Sequence, residues 1–140
     1  MNVDPLVSRL IELAIEEDLA LGDVTTDATI AADTQGMGRI AAKQSLVLAG
    51  VDVANRVFDE IDRELSVTWQ SGDGDCAEPG QVLALVSGNV RSLLKAERTV
   101  LNFLQRLAGI ATMTRAYVDA VSGTSAQVVD TRKTTPGWRT

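Results

Sequence analysis

Apolar positions along the chain follow two periods, and the changes of period mark the elements. Asp4-Pro5 offers a carboxylate cap and a proline at the first helical position, a combination that opens a helix. Leu6, Leu10, Leu13 and Glu17 then share one face, and Val7, Ile11 and Ala14 widen it toward a core. Gly22 supplies a stop, and Asp23-Val24-Thr25-Thr26-Asp27 is a turn or a new cap. Arg39-Ile40-Ala41-Ala42-Lys43 and Leu46-Val47-Leu48-Ala49 predict two short strands around a polar turn. Helical spacing returns from Val51 to Ile61, with Val53, Val57, Phe58 and Ile61 inward. Leu65-Ser66-Val67-Thr68-Trp69 alternates and predicts a half-buried strand.

Two loops, 71–75 and 78–80, flank a short extended link, and Gln81 to Ser87 predicts the next strand. A long helix is expected from Asn89, with Leu94, Leu101, Leu104 and Leu107 at helical spacing. Gly109 is expected to break it, and residues 111–121 to continue as a second helix. Gly123 ends that helix, and Gln127 to Thr131 predicts a final strand. The order suggests an α+β domain followed by the opening of an α/β unit.

Composition narrows the chemistry. At 140 residues, 45% hydrophobic and with mean hydropathy +0.07, the chain is suited to one respectable core. A net charge of −6 argues against nonspecific nucleic-acid binding, which needs massed Lys and Arg. It does not exclude a small anionic ligand, for which a local cationic cluster suffices. The single cysteine, Cys76, permits no internal disulfide and suits a reducing compartment. No histidine is present, so these residues hold no Ser-His-Asp arrangement, His-based zinc site or imidazole base. The start lacks the basic-then-apolar build of a signal peptide, and no apolar run is long enough to cross a bilayer. A cytoplasmic protein is expected.

Candidate sites follow from cations in unusual settings. Arg98 falls four residues after Leu94 and three before Leu101, which places a guanidinium on the leucine stripe. There it needs a ligand or an acid, with Glu97 or a distant carboxylate both open. Val128-Val129 runs into Asp130-Thr131-Arg132-Lys133-Thr134-Thr135 and breaks at Pro136-Gly137. Polar groups crowded at the carboxyl end of a strand are where α/β folds hold anions. Arg132 brings a planar fork and Lys133 a compact charge, with an exposed strand end as the bland alternative. Asp73, Asp75 and Glu78 lack the further oxygen ligands of a calcium loop, so a solvated turn is preferred there. The hairpin around Gly72 to Leu83 is similar to half of a biotinyl or lipoyl carrier, but neither Lys43 nor Lys95 has the flanks of a modified lysine.

Three blocks carry a resemblance across the chain. Ala96 to Thr112, AERTVLNFLQRLAGIAT, resembles the long-helix signature of the quinolinate phosphoribosyltransferases. Asp130 to Gly137, DTRKTTPG, is similar to that family's first barrel strand and loop, and Gly22 to Thr26 to its near-amino-terminal turn. The resemblance implies an open α/β sandwich over residues 1–108, then the first elements of an incomplete α/β barrel over 109–140. It implies transfer of phosphoribosyl from phosphoribosyl pyrophosphate to quinolinate with loss of carbon dioxide, a step toward NAD. Arg98, Thr131, Arg132 and Lys133 fall on its substrate-contacting positions, with Lys133 catalytic and Arg98 reaching the neighbouring subunit's site in a homodimer or higher homo-oligomer. Magnesium is expected with the pyrophosphate, its ligands outside these residues.

Two departures stand out. Trp138 replaces a smaller aliphatic, and the chain stops at Thr140 where the family continues. The 140 residues alone are therefore expected to show no turnover, and a strand at 127–131 to expose unpaired edges. A related enzyme for another pyridine carboxylate and a non-catalytic dimerisation module are the alternatives.

Overall fold

A computed structural model describes residues 3–20 and 22–139. Helix α1, Pro5–Leu19, starts as Asp4 accepts a hydrogen bond from the Leu6 amide at 2.8 Å. Only Val7 and Ile11 of α1 are fully buried; Leu6 and Leu13 are exposed, so the core-facing stripe is narrower than the leucines suggest. A six-residue helix, α2, Val24–Thr29, follows, capped by Asp23 through the Thr26 amide at 3.0 Å. The polar run after Gly22 is thus a cap with its helix.

The chain then lays down β1 (Gln35–Ala41), β2 (Leu46–Val47), helix α3 (Val51–Ile61), β3 (Ser66–Trp69), β4 (Cys76–Ala77), β5 (Val82–Asn89) and helix α4 (Val90–Ala120). β5 is the centre of an antiparallel three-stranded sheet in the order β1-β5-β3, while β2 pairs with β4. The two strands expected around the polar turn at 42–45 are both present, but they do not pair with each other: β1 and β2 join different sheets. Register is set by burial. Ile40, Ala84 and Trp69 lie across from one another and point into the core, whereas the next rung, Arg39, Leu85 and Thr68, is exposed. One face of the sheet carries helices and the other is open, the sandwich expected.

Ile11, Leu48, Val57 and Val100 fill the centre, joined by Phe58, Leu83 and Val86. α4 enters this core on a stripe of Ala96, Val100, Leu104 and Ala108 with Thr99 beside it. Alanines let the helix approach closely, so the edge bearing Leu94 and Arg98 is turned outward, contrary to the leucine-based reading.

α4 also runs unbroken through Gly109 for 31 residues. A helical glycine costs about 1 kcal/mol, too little to stop a helix tied on both sides. The Thr112 hydroxyl donates to the Ala108 carbonyl at 2.6 Å and accepts from the Val47 amide at 2.9 Å, fastening the second half to β2. At the other end Asn89 accepts from the Arg91 and Ser92 amides. Gly50 opens α3 at φ 102°, where a side chain would meet Leu107 of α4 at 2.6 Å.

Residues 127–131 form no strand and are exposed. Among the described residues no neighbouring strand supplies their N–H and C=O groups with partners, and an isolated strand has nothing to hold it in water.

Candidate functional site

The carboxyl-terminal segment reaches back across the molecule and docks on α1 and α4. Trp138 meets Phe103 edge to face, ring centres 5.6 Å apart, and packs against the core margin. Arg106 of α4 donates to the Thr135 hydroxyl at 2.9 Å. Gly137 sits at φ 83° over Leu10, whose side chain a Cβ would meet at 2.8 Å. The Pro-Gly break therefore lets the segment lie flat on α1, and Trp138 anchors it.

Between α1, α4 and this segment lies a groove of about 350 Å³, bordered by Asp18, Thr99, Asn102, Phe103, Arg106 and Trp138. A more open hollow on the second half of α4 is walled by Ile110, Met113, Tyr117 and Val128, with Arg106 at its edge.

Arg98 projects beside the groove with its side chain 65% exposed, and its Nε lies 3.2 Å from Asp18 Oδ1 in the last turn of α1. Asp18 is the acid that pattern alone left unnamed; Glu97 makes no pair with it among the described residues. Asp23 adds a second negative charge. Hydrogen bonds from Thr26, with Arg98 and Lys95 nearby, hold the Asp23 carboxyl below its ordinary value. Arg91, one helical turn before Lys95, clasps the end of α2, donating to the carbonyls of Asp27 and Ile30. Lys95 and Arg91 both pair with the Asp27 carboxylate, at 3.4 and 3.2 Å.

Thr131, Arg132 and Lys133 lie together in the exposed segment. The Lys133 amide donates to the Thr131 hydroxyl at 3.2 Å, and the Arg132 carbonyl accepts from Arg139 at 2.7 Å. These bonds shape the turn through backbone atoms and leave the two cationic side chains without an acid partner among the described residues. No hydrogen bond or ion pair among those residues joins Arg98 to any of the three. The structure thus gathers Thr131, Arg132 and Lys133 in one turn and keeps Arg98 apart on the α1–α4 edge. In a protein of net charge −6, cations left without acids are suited to an anion.

The family model for the quinolinate phosphoribosyl transferase N-terminal domain matches residues 23–108, and that for the C-terminal domain matches residues 110–140. The chain belongs to the quinolinate phosphoribosyltransferase family. A nicotinate-nucleotide pyrophosphorylase of Mycobacterium leprae is 46% identical over 132 residues, covering 92% of this chain and 46% of the relative. A quinolinate phosphoribosyltransferase of Nicotiana tabacum is 42% identical, covering 93% of this chain and 37% of its own length. The solved nicotinate-nucleotide pyrophosphorylase of Francisella tularensis superposes with a TM-score of 0.91 at 36% identity, covering 98% of this chain and 49% of that one. The chain therefore spans less than half the length of these relatives, and the match includes the docked segment with Trp138.

Pattern reasoning missed Asp18, Arg106 and Phe103. Asp18 reads as one more acid at the end of an acidic helix, and Arg106 as a solvated cation. Asp18 gains its partner from α4, in Arg98, and the returning segment gives Arg106 and Phe103 theirs, in Thr135 and Trp138.

Proposed function

We propose that this chain supplies the amino-terminal half of an enzyme that transfers phosphoribosyl to quinolinate. Residues 1–108 serve as the sandwich domain and 109–140 begin the barrel. The ring nitrogen bonds to the sugar's first carbon as the bond from that carbon to the pyrophosphate oxygen breaks. The positively charged ring then accepts the electron pair left when the 2-carboxylate departs as carbon dioxide, and solvent protonates that carbon. No side-chain nucleophile is needed. What the site must supply is positive charge, for a dianionic pyridine and for the leaving pyrophosphate.

The observation that carries this reading is the pair of acid-free cations, Arg132 and Lys133, presented in an ordered turn whose Pro-Gly-Trp end is anchored on α1 and α4. Arg132 offers a fork for one carboxylate, Thr131 a hydroxyl, and Lys133 a compact charge where negative charge develops in the transition state. Arg98, on the far edge, faces outward. In this reading it serves the site of the partner subunit in a homodimer, which accounts for its separation from the turn. Among the described residues no group of three or more His, Cys, Asp or Glu is placed to hold a metal ion. Magnesium therefore enters the proposal only as a counter-ion carried by the pyrophosphate, and no step above runs through it. A cytoplasmic setting belongs to the same proposal. Plant relatives are named mitochondrial or chloroplastic, so cell fractionation decides it.

The test uses the chain joined to its barrel half. Nicotinate mononucleotide should form from quinolinate and phosphoribosyl pyrophosphate. Arg98→Ala should raise the quinolinate KM by roughly 100-fold, and Lys133→Ala should lower kcat by a similar factor. Unchanged kinetics in both variants would overturn the assignment. Tight binding of nicotinate with none of quinolinate would move the chain to the related enzyme class.

A further inference from the structure

We infer that Asp18 is a positioning residue for Arg98: it grips the inner nitrogen of the guanidinium so that the outer fork points away from α1, ready for a carboxylate. The inference rests on the substrate role proposed for Arg98 and adds to it the group that sets its aim.

Four observations on the same corner of the molecule support it. First, the contact is made through Nε, 3.2 Å from Asp18 Oδ1, and no hydrogen bond or second ion pair among the described residues engages the terminal nitrogens. The end-on edge formed by the two terminal nitrogens, which can bind a carboxylate at two points, is therefore free. Second, the partners are unequally sunk. The Asp18 side chain is 23% exposed against 65% for Arg98, so the acid is the fixed base and the arginine the projecting arm.

Third, Asp18 Oδ2 is buried and has no hydrogen-bond partner among the described residues. A lone acceptor held out of water is unfavourable, and a carboxylate kept there solely for stability would be a poor choice, since partly exposed pairs stabilise a fold little. Fourth, Asp23 brings a further negative charge toward Arg98 from the far side of the Gly22 turn. Asp18 at the end of α1 thus makes the contact with the guanidinium, and Asp23 at the start of α2 adds a weaker, longer-range attraction. Arg98 has several rotatable bonds, and an unguided side chain loses that freedom on binding ligand. Gripping Nε beforehand removes part of that loss. The turn at Gly22 acquires a task here: it ends α1 with Asp18 beneath Arg98 and begins α2 with Asp23 alongside.

The experiment uses the full-length enzyme, with quinolinate and phosphoribosyl pyrophosphate as the variable substrates. Asp18→Asn is expected to raise the quinolinate KM about fivefold or more, with kcat and the KM for phosphoribosyl pyrophosphate within about twofold of the parent. Asp18→Glu, which keeps the charge, should restore most of the lost affinity. In a double-mutant cycle, Asp18→Asn should add little once Arg98→Lys is present, because the acid acts only through the arginine. A thermal melt of each variant keeps folding separate from binding, and Asp18→Ser replaces the Asn variant if that one does not fold. If Arg98→Lys weakens quinolinate binding while the Asp18 variants leave it unchanged, or if the two effects simply add, the positioning role is overturned and the function stands. If Arg98→Lys itself leaves quinolinate binding unchanged, the role of Arg98 falls, and this inference with it.

Discussion

The sandwich and the segment after α4 are held by different physics. In the sandwich, Ile11, Leu48, Val57 and Val100 are wholly enclosed, and strand register follows from which residues must leave water. Among the described residues from 122 onward only Trp138 is even half-buried, and the return path is fixed by contacts of Trp138 on Phe103, Thr135 on Arg106 and Gly137 on Leu10. The enclosed region carries little candidate chemistry, whereas the lightly held region carries Arg132 and Lys133. Charges that must meet a ligand cannot be locked into a core, because burial without a partner would expel them. A scaffold rigid by packing, bearing cations on a segment pinned at one end, satisfies both demands.

The widest separation between the two regions should appear in equilibrium denaturation. Ile11→Ala is expected to cost about 3 kcal/mol, from lost burial and the cavity left among Val57, Val100 and their neighbours. Val129→Ala, at a residue 76% exposed, should change stability by less than about 0.5 kcal/mol. Equal losses would erase the distinction and make the segment part of the core.

How far each region was legible follows from the same contrast. α3 and β3 were readable because Val57, Phe58, Val67 and Trp69 fall on simple periods that burial enforces. The full start of β1 was not: Gly36 and Gly38 carry no strand signal, and the pairing of Gln35 with Asn89 supplies it. Gly109 misled because local propensity is weak beside a tertiary tie such as Thr112 to Val47. The face of Arg98 was misassigned because leucines draw attention, whereas Ala96 and Ala108 mark the true contact. In the site, Arg132 and Lys133 stood out as adjacent cations, but an exposed strand end explained them as well, and only the family resemblance gave them and Thr131 a role. Asp18 was not, since its meaning comes from a partner on another helix, and no periodicity encodes that.

Next in size is the anchor itself. Trp138→Ala should cost about 1 kcal/mol, in line with the loss of an edge-to-face aromatic pair and partial burial. Gly137→Ala should cost a similar amount, roughly 1 kcal/mol, because its φ of 83° disfavours a Cβ and Leu10 stands in the way. Both should raise amide exchange across residues 124–139 while leaving the exchange of α3 and β5 unchanged. If protection in those core elements drops in parallel, the two regions unfold as one unit.

The smallest effect lies at the edge of the sandwich. Asp62 follows α3, and its carboxylate accepts from the Ser92 hydroxyl at 2.6 Å and the Glu64 amide at 2.9 Å. The Ser92 bond, then the Glu64 bond, hold its carboxyl below the ordinary value despite an opposing effect of burial. Folding thus favours the charged form. Its contribution is complete at pH values above the unfolded-state value near 3.8 and is lost as pH falls through the lower folded value. Ser92→Ala should remove the leading cause and make the acid limb of the stability curve shallower, by no more than about 1 kcal/mol. Thr131→Ala, in the exposed segment, should leave that limb where it was. An acid limb that shifts with Thr131 and not with Ser92 would mean that low-pH unfolding begins in the segment, and the proposed division between packed scaffold and pinned arm would have to be redrawn.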